Sequence, residues 1–567
     1  MCGIWFYTFL NNVHKLEDLY KSFSNIKNRG PDNSCFSEYS EFNTITGFHR
    51  LAIINNSVIG NQPFIEEIIK YEGETIVEDK IVFMLCNGEI YNYKLLAATH
   101  LKEEIKNTSL KSDCEIIIKL YLKYGHDFVA NNLRGEYAYV IFEYDRLLCK
   151  KQMYVSRDPF GIRPLYYSFT NEFINICSET KGLITNNTDD KIKHVKGGSI
   201  LHFSQENKNA KFTMTEKKYY NFPTTFINSA YNVDFFKHTV KKLLIKSVKE
   251  RLVSDRPIGA LLSGGLDSSL VCSIAASELR QQHPDFVMNT FSIGMPGSTD
   301  EKYANMVATH IKSNHRHISF DMNVWLDALE TVIYTIESYD ITTVRASTGQ
   351  YLISKWISEN TDIKVLLIGD GSDELCSGYM YFHNAPNPKA SHEENIKLLD
   401  EISFYDVKRA DAGIASNGLE ARVPYLDVDF VNFYLQIPPE HRIPIQHVEK
   451  WLLRYSFDDV DNYLPKEVLY RKKEAFSDGV SSVEKSWFMI IQEYVEELYT
   501  KELFEEKIKE YSHNTPVSKE SLYYREIYKK HFGNDNNNKI IPHYWLPNWS
   551  NNVKEPSARV LNAYKEH

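Results

Sequence analysis

The 567-residue chain lacks the marks of several protein classes. It contains no apolar run near the ~20 residues that a membrane-spanning helix needs, and its N-terminus has no basic segment followed by an apolar one. Its formal net charge is -10, so no global positive field would recruit nucleic acid or an acidic membrane surface. We therefore predict a cytoplasmic protein that binds neither nucleic acid nor membranes.

The cysteines also lack the spacing of a metal or disulfide framework. There are eight of them, with no CxxC pair and no zinc-like grouping with histidine, which is typical of reduced thiols. Hydrophobic residues make up 43% and charged residues 25% of the chain, as in an ordinary globular protein. Since domains usually span ~100–200 residues, we expect two to four of them.

The most informative stretch is Pro257–Ser269, PIGALLSGGLDSS. An apolar run ends in two glycines and continues into a helix-forming sequence, which predicts strand, tight turn and helix. Gly264 and Gly265 would let backbone N–H groups approach a phosphate, and Asp267 and Ser268 would add a metal-facing carboxylate and a hydroxyl. No lysine follows the glycines, which disfavours the GxxxxGK[ST] loop. A turn that merely caps a helix is the alternative.

Further strands continue this pattern. Asn289–Met295 is a predicted strand that ends in small residues, and Lys364–Glu374, KVLLIGDGSDE, is a second buried strand running into a Gly/Asp loop. Strands that alternate with helices indicate a doubly wound parallel sheet, whose ligands lie at the carboxyl ends of the strands.

The other end of the chain carries a candidate nucleophile. Cys2 becomes the N-terminal residue if the initiator methionine is trimmed, as is normal before a small residue. Its own α-amine, with a pKa of about 7.7–8.0, would then be a built-in base for the thiol. Arg50 lies in a short predicted strand and is a natural bidentate partner for a carboxylate. Taken singly, Arg50 could form a surface ion pair and Asp113 could be a helix N-cap.

Taken together, five N-terminal segments resemble the class II glutamine amidotransferases. In order they are Cys2, RGPD at 29–32, HRLAI at 49–53, CNGEIYN at 86–92 and SDCE at 112–115. The resemblance implies that Cys2 attacks glutamine and that Asn87 and Gly88 stabilise the oxyanion. It implies glutamine-binding positions at Arg50, Leu51, Ala52, Ile53, Ile54, Asn87, Gly88, Glu89 and Asp113.

The SGGLDSS motif of the second half resembles the phosphate loop of the ATP pyrophosphatases. These enzymes split ATP into AMP and pyrophosphate. With DITTVRAS at 340–347 and the second loop, the resemblance narrows to glutamine-hydrolysing asparagine synthetases. It implies aspartate binding by Thr342, Thr343 and Arg345. It implies catalytic contacts by Lys473 and Asp370, and Mg²⁺, bound with ATP, at Asp267 and Asp373. The implied ATP-binding positions are Leu261, Leu262, Ser263, Gly264, Gly265, Asp267, Ser268, Ile293, Gly294, Ile368 and Gly369.

The chain departs from this family at the second loop. The family commonly reads SGEG where this chain has Ile368-Gly369-Asp370-Gly371, so an aspartate stands in place of a catalytic glutamate. A displacement of ~1 Å can slow a reaction ~10²-fold, so we predict an active enzyme in which formation or breakdown of the acyl-adenylate is the step at risk. The family also more usually has proline where Thr299 stands.

Two alternatives remain open. A relative that adenylates another carboxylate, such as a β-lactam synthetase-like enzyme, is disfavoured by the intact Cys2, Arg50 and Asp113. A catalytically weakened scaffold is supported only by the changes at Ile368 and Asp370. Phosphoribosyl-transferring amidotransferases share the first half alone and are excluded by SGGLDSS.

We predict three regions in the chain. Residues 1–208 form a four-layered α/β/β/α amidotransferase domain of the N-terminal-nucleophile type, 209–233 a linker, and 234–567 an asparagine synthetase domain with a doubly wound parallel sheet. The substrates are glutamine, aspartate and ATP, and the resemblance suggests a homodimer. Asn534–Lys539 reads as a low-complexity loop, and Pro556–Arg559 resembles the family's carboxyl tail.

Overall fold

A computed structural model describes residues 1–10, 14–103, 110–183, 192–228, 232–445, 448–482, 484–533, 540–550 and 555–557. The predicted loop 534–539 and the tail residues Ala558 and Arg559 lie outside them. The chain divides into two compact units, of which the first comprises Met1–Asn221 with Ile540, and the second Phe222–Gly533 with the described residues from Ile541 onward. No helix in the described ranges is both long and apolar enough to cross a bilayer.

The first unit contains two six-stranded antiparallel sheets, with strand orders β10-β8-β9-β1-β3-β2 and β12-β11-β7-β6-β5-β4. The strands are β1 Gly3–Phe9, β2 Asn33–Tyr39, β3 Thr44–Arg50, β4 Phe64–Glu72, β5 Thr75–Ile90, β6 Gly135–Asp145, β7 Lys150–Arg157, β8 Tyr166–Phe169, β9 Phe173–Cys177, β10 Lys193–His194, β11 Ser199–Gln205 and β12 Thr213–Lys218. The helices are α1 Leu16–Ser24, α2 Tyr93–His100, α3 Glu115–Tyr124 and α4 His126–Asn132.

Side-chain alternation along the strands builds four layers. On β1, Ile4 and Phe6 enter the core between the two sheets, while Trp5 and Tyr7 enter the core beneath α1. The outer face of the second sheet packs Val82 and other apolar side chains against α2, α3 and α4. The resulting α/β/β/α order confirms the predicted fold class of this unit.

The region predicted as a linker contains a strand. β12 pairs along its length with β11 at the edge of the second sheet, and the two units divide between Asn221 and Phe222. The strand has a polar sequence because it is an edge strand whose side chains are mostly exposed. Residues 209–221 therefore belong to the first unit, which corrects the predicted start of the linker.

The second unit is built on a five-stranded parallel sheet of order β15-β14-β13-β16-β17, as predicted. Its strands are β13 Ile258–Leu261, β14 Asn289–Gly294, β15 Asn314–Ser319, β16 Val365–Leu367 and β17 Glu420–Arg422. Its helices are α5 Val233–Glu250, α6 Leu266–Gln282, α7 Thr299–His310, α8 Met322–Ile336, α9 Ile341–Asn360, α10 Ser372–Leu375, α11 Pro388–Glu401, α12 Asp406–Ala415, α13 Val428–Gln436, α14 Trp451–Ser456, α15 Lys466–Leu469, α16 Phe476–Gly479, α17 Trp487–Leu498, α18 Lys501–Lys507 and α19 Lys519–Phe532.

The strand order reverses at the centre of this sheet. From β13 the chain adds β14 and β15 on one side, and then returns to place β16 and β17 on the other. A ligand site is expected where such a reversal leaves a crevice at the carboxyl ends of neighbouring strands. Both sequence-predicted loops follow the two strands at this point, β13 and β16.

Candidate active sites

Cys2 lies directly before β1 and is held through its backbone. Its N–H donates to Asn87 Oδ1 at 2.9 Å, and Arg29 Nε donates to its carbonyl at 2.9 Å. The thiol is partly exposed and lies 3.6 Å from the carbonyl oxygen of Leu51. The nucleophile predicted from the sequence is thus brought together with the predicted segments around Leu51 and Asn87.

Asn87 offers an unused donor beside this thiol. Its Oδ1 is occupied by Cys2, whereas its Nδ2 is buried and has no hydrogen-bond partner among the described residues. Gly88 follows with a φ of 139°, a backbone conformation that residues with a Cβ rarely adopt. A Cβ there would lie 2.0 Å from the carbonyl oxygen of Glu136, so the close approach of β5 and β6 requires glycine. A fixed, unpaired amide donor is what a developing oxyanion needs.

Arg50 braces the loop that follows β3. Its guanidinium donates to the carbonyls of Ser57 at 2.6 Å and Ile54 at 3.3 Å, and to Asn61 Oδ1 at 2.9 Å. The predicted glutamine-binding residues Leu51–Ile54 lie on this loop. Carbonyl and amide oxygens therefore hold the arginine that was predicted to bind a carboxylate.

Two of the predicted glutamine-binding residues, Glu89 and Asp113, are buried carboxylates. Asp113 Oδ2 accepts the N–H of Ile90 at 2.7 Å, which ties it to the strand residue that follows Glu89. Ser112 Oγ donates to Asp113 Oδ1 at 2.8 Å. The structure thus places Asp113 at the end of β5 beside Glu89.

One supporting ion pair was not assigned a role from the sequence. Arg29 Nη1 lies 2.9 Å from Glu179 Oε1, and both side chains are buried. Burial alone would raise the pKa of Glu179, but Lys181 and Arg29 together lower it. Arg29 stands in the RGPD motif, but Glu179 lies 150 residues later in the chain, so no local pattern joins the two. Glu179 thus holds in place the Arg29 guanidinium, which donates to the Cys2 carbonyl.

In the second unit a cavity lies at the carboxyl ends of β13, β14 and β16, where the strand order predicts it. Side chains and backbone of both predicted loops line it. The predicted residues that line the cavity are Leu261, Leu262, Ser263, Gly265, Asp267, Ser268, Ile293, Thr342, Ile368, Gly369, Asp370, Asp373 and Lys473.

Four predicted residues do not line this cavity. Gly264, with a φ of 76°, faces α7, where a Cβ would lie 2.4 Å from the Ala304 nitrogen. A Cβ at Gly294 would lie 2.4 Å from Ser298 Oγ, so this glycine allows a close packing contact. The other two, Thr343 and Arg345, lie on α9.

Thr343 and Arg345 are held away from the cavity by other partners. The Thr343 hydroxyl donates to Asp340 Oδ2 at 2.8 Å, within the cap of α9. Arg345 is buried against Glu520, with Nε 2.8 Å from Oε1, and also binds Glu555. Thr342 lines the cavity, and its hydroxyl oxygen is buried with no hydrogen-bond partner among the described residues. Of the predicted aspartate-binding set, the structure brings Thr342 alone to the cavity.

A buried lysine joins the two predicted metal ligands. Lys450 Nζ lies 2.7 Å from Asp267 Oδ2 and 2.6 Å from Asp373 Oδ1, and Lys473 Nζ lies 2.6 Å from Asp373 Oδ2. Burial alone would raise the pKa of Asp373, but Lys450 and Lys473 dominate and lower it. Sequence reasoning missed Lys450, because it lies in no strand-and-loop motif.

The donor set fits Mg²⁺ carried by ATP. Asp267 and Asp373 each direct a carboxylate oxygen at the same point, which the Lys450 ammonium group occupies. Mg²⁺ typically takes one or two carboxylates together with phosphate oxygens. Among the described residues, no group of three or more His, Cys, Asp or Glu side chains could hold a metal ion by itself. The two carboxylates would supply part of the coordination of Mg²⁺, and phosphate oxygens of a bound nucleotide would supply more of it.

Asp370 lines the same cavity and pairs with Arg409. Arg409 Nη2 lies 2.7 Å from Asp370 Oδ1 and 2.9 Å from Asp406 Oδ1. Burial raises the pKa of Asp370, and Arg409 offsets part of that effect. The residue that departs from the family pattern thus lines the cavity.

Comparisons with known proteins assign a family to both parts of the chain. The asparagine synthase family model matches residues 239–402 and 386–553, and the glutamine amidotransferase domain model matches residues 1–225. Asparagine synthetase [glutamine-hydrolyzing] of Homo sapiens is 39% identical, and the protein of the same name from Gallus gallus is 38% identical. Each alignment covers 100% of this chain and 99% of the relative. The chain belongs to the family of glutamine-hydrolysing asparagine synthetases.

Proposed function

We propose that this chain makes asparagine from aspartate and ATP, with glutamine as the nitrogen donor. The observation that carries the proposal is the presence, in one chain, of two fitting sites. One is a cysteine beside an unpaired buried amide donor, and the other is a cavity where a phosphate loop meets two carboxylates. The names of the relatives support this assignment.

The first half-reaction releases ammonia. With Met1 removed, the α-amine of Cys2 takes the thiol proton and the sulfur attacks the carboxamide carbon of glutamine. Asn87 Nδ2 and the Gly88 N–H donate hydrogen bonds to the oxygen and so stabilise the negative charge that develops on it. Ammonia leaves, and water hydrolyses the thioester to glutamate. Arg50 binds the α-carboxylate of glutamine, while Glu89 and Asp113 bind its ammonium group.

The second half-reaction activates aspartate. An oxygen of its β-carboxylate attacks the α-phosphorus of ATP, which gives β-aspartyl-AMP and pyrophosphate. Lys473 stabilises the charge that develops on the phosphate. Asp267 and Asp373 would hold Mg²⁺, which would neutralise phosphate oxygens. Thr342 contacts aspartate, and the family resemblance adds Thr343 and Arg345 to its binding.

Ammonia then attacks the acyl carbon of the adenylate, and AMP leaves. Asp370 accepts the proton that the nitrogen loses. Adenylation is needed because a carboxylate is a poor electrophile until one of its oxygens becomes part of a good leaving group. An assay with glutamine, aspartate and MgATP should therefore yield asparagine, AMP and pyrophosphate. ADP as the nucleotide product would contradict the mechanism.

A pair of cysteine variants separates the two half-reactions. Cys2→Ala should abolish synthesis from glutamine and preserve synthesis from ammonium, because only the first site uses the thiol. Cys35→Ala is the matched control, since Cys35 is also partly exposed but plays no part in the proposal. Loss of both activities in folded Cys2→Ala protein would refute the two-site scheme. A β-lactam synthetase-like enzyme would adenylate a carboxylate other than aspartate.

The remaining proposals concern the location, oligomeric state and binding partners of the protein. We expect a cytoplasmic homodimer that binds neither nucleic acid nor membranes, and the net charge of -10 supports the last two points. Sedimentation of the purified protein tests the dimer, which would appear at twice the 66.0 kDa chain mass.

A further inference from the structure

One face of α9 lines the synthetase cavity. Thr342, Ala346, Gln350 and Ile353 recur at intervals of three or four residues and all face it. Gln350 is the long polar side chain on this face and is only 4% exposed. Its amide is therefore shielded from bulk water and must find partners in the cavity.

The orientation of that amide follows from its neighbour. Gln350 Nε2 lies 3.5 Å from Asp370 Oδ2, while Arg409 holds the other oxygen of the same carboxylate at 2.7 Å. A carboxylate only accepts hydrogen bonds, so the amide must turn its N–H₂ group toward Asp370. This leaves Gln350 Oε1 as a buried acceptor, and it has no hydrogen-bond partner among the described residues. Buried acceptors are nearly always paired, which points to a donor supplied by a substrate.

The location narrows the choice of donor. Gly369, next to Asp370, packs against the phosphate loop so closely that a Cβ there would lie 2.7 Å from the Ser268 nitrogen. Gln350 therefore lies beside the place where the acyl phosphate forms. The adenine amino group is expected at the end of β14, where the backbone of Ile293 would contact it. The ammonium group of aspartate is a full cation, for which a neutral carbonyl is a poor partner beside Arg409.

We propose that Gln350 binds the attacking ammonia through Oε1 and steadies Asp370 through Nε2. The inference rests on the proposed function. An N–H of ammonia donates to Oε1 while the nitrogen lone pair points at the acyl carbon of β-aspartyl-AMP. The C–N bond forms, the bond from carbon to the AMP oxygen breaks, and one proton passes from nitrogen to Asp370. The products are asparagine and AMP, with no other reactant required.

The test uses the full-length enzyme with ammonium chloride in place of glutamine. Gln350→Met keeps the length of the side chain and removes both amide groups. It should raise the KM for ammonium about tenfold, as the loss of one good hydrogen bond allows, and leave the KM for ATP and for aspartate unchanged. Gln350→Asn, which keeps the amide but shortens its reach, should raise the KM for ammonium less, and it serves if Gln350→Met is unstable.

Thr348→Val is the matched control. Thr348 is buried on the same helix, and its hydroxyl donates to the Val344 carbonyl at 3.0 Å, away from the cavity. We expect all three KM values to stay at the wild-type level in this variant. If Gln350 only supports the packing of α9, all three KM values should instead change together, in the control as well as in the Gln350 variants. That result would overturn the inference.

Each other outcome is also decisive. A rise confined to the KM for aspartate would assign the acceptor to the α-ammonium group, and a rise confined to the KM for ATP would assign it to adenine. Either result, or an unchanged KM for ammonium in Gln350→Met, overturns the inference while wild-type synthesis keeps the proposed function intact. If the wild-type enzyme makes no asparagine from ammonium, the proposed function fails, and the inference fails with it.

Discussion

Replacement of Lys450 by methionine tests the charge balance of the synthetase cavity. The Lys450 side chain is 1% exposed, and it contacts Asp267 at 2.7 Å and Asp373 at 2.6 Å. Removal of one partner from a buried ion pair costs ~3–5 kcal/mol, because it leaves an uncompensated buried charge. Lys473 still reaches Asp373, and Ser372 still donates to Asp267 at 2.8 Å. We therefore expect Lys450→Met to lower the free energy of unfolding by about 3 kcal/mol, the lower end of that range.

Urea unfolding at pH 7, followed by tryptophan fluorescence, measures this loss. Six of the seven tryptophans lie beyond residue 222, so the signal reports mainly on the second unit. If Asp267 and Asp373 can hold Mg²⁺, added MgCl₂ should restore part of the stability of Lys450→Met, because the ion replaces the missing cation and binds only the folded form. The wild-type protein, whose carboxylates are already paired, should respond less.

Lys246→Met is the control for this experiment. Lys246 lies 2.6 Å from Asp429, but 46% of its side chain is exposed. A surface pair contributes at most ~1 kcal/mol, and its loss should not respond to Mg²⁺. The reasoning would be refuted by a loss below about 1 kcal/mol in Lys450→Met, or by equal Mg²⁺ effects on the two variants.

Three further predictions concern single groups. Asn87→Ala should lower the glutaminase kcat by about 10²–10³-fold, as loss of an oxyanion donor does elsewhere, with ammonium-dependent synthesis as the internal control. Asp370→Asn should slow asparagine formation from ammonium, because an amide cannot take the nitrogen proton; full activity would show that this position is not catalytic. Lys151 is buried, which lowers its pKa to about 7 from 10.5. Between those pH values the unfolded chain binds a proton that the folded chain does not, so stability of the first unit should rise with pH across this window and stay flat below it. Lys151→Met should abolish the rise in urea-unfolding free energy, and an unchanged slope would contradict the assignment.

Local sequence patterns predicted the strand-and-loop elements well. The apolar run before SGGLDSS is β13, and the helix after its glycines is α6, because such a pattern is decided within a dozen residues. The apolar run before Asn87 is likewise part of a strand, β5. Its contact with Cys2 joins positions 85 residues apart, and it was inferred from a resemblance of ordered motifs rather than from local physics.

Contacts between distant segments escaped prediction. Lys450 reaches Asp267 across 183 residues, and no local pattern marks it as a partner of the phosphate loop. β12 was missed because an exposed edge strand can be polar on both faces. Thr343 and Arg345 lie off the cavity because each has another partner. Asp340 stands three residues before Thr343, as a helix cap would, and accepts its hydroxyl. Arg345 is held by Glu520 and Glu555, which lie far away in the sequence.

The register of β5 against β6 has a consequence for how this chain can change in evolution. The two strands are paired from Lys80 to Ile90, with Asn87 opposite Ala138 and Gly88 opposite Tyr137. Because side chains alternate between faces, an insertion or deletion of one codon within this stretch would turn the Asn87 amide away from Cys2. Insertions and deletions should therefore be tolerated in the surface turns of this unit and selected against at these eleven paired positions.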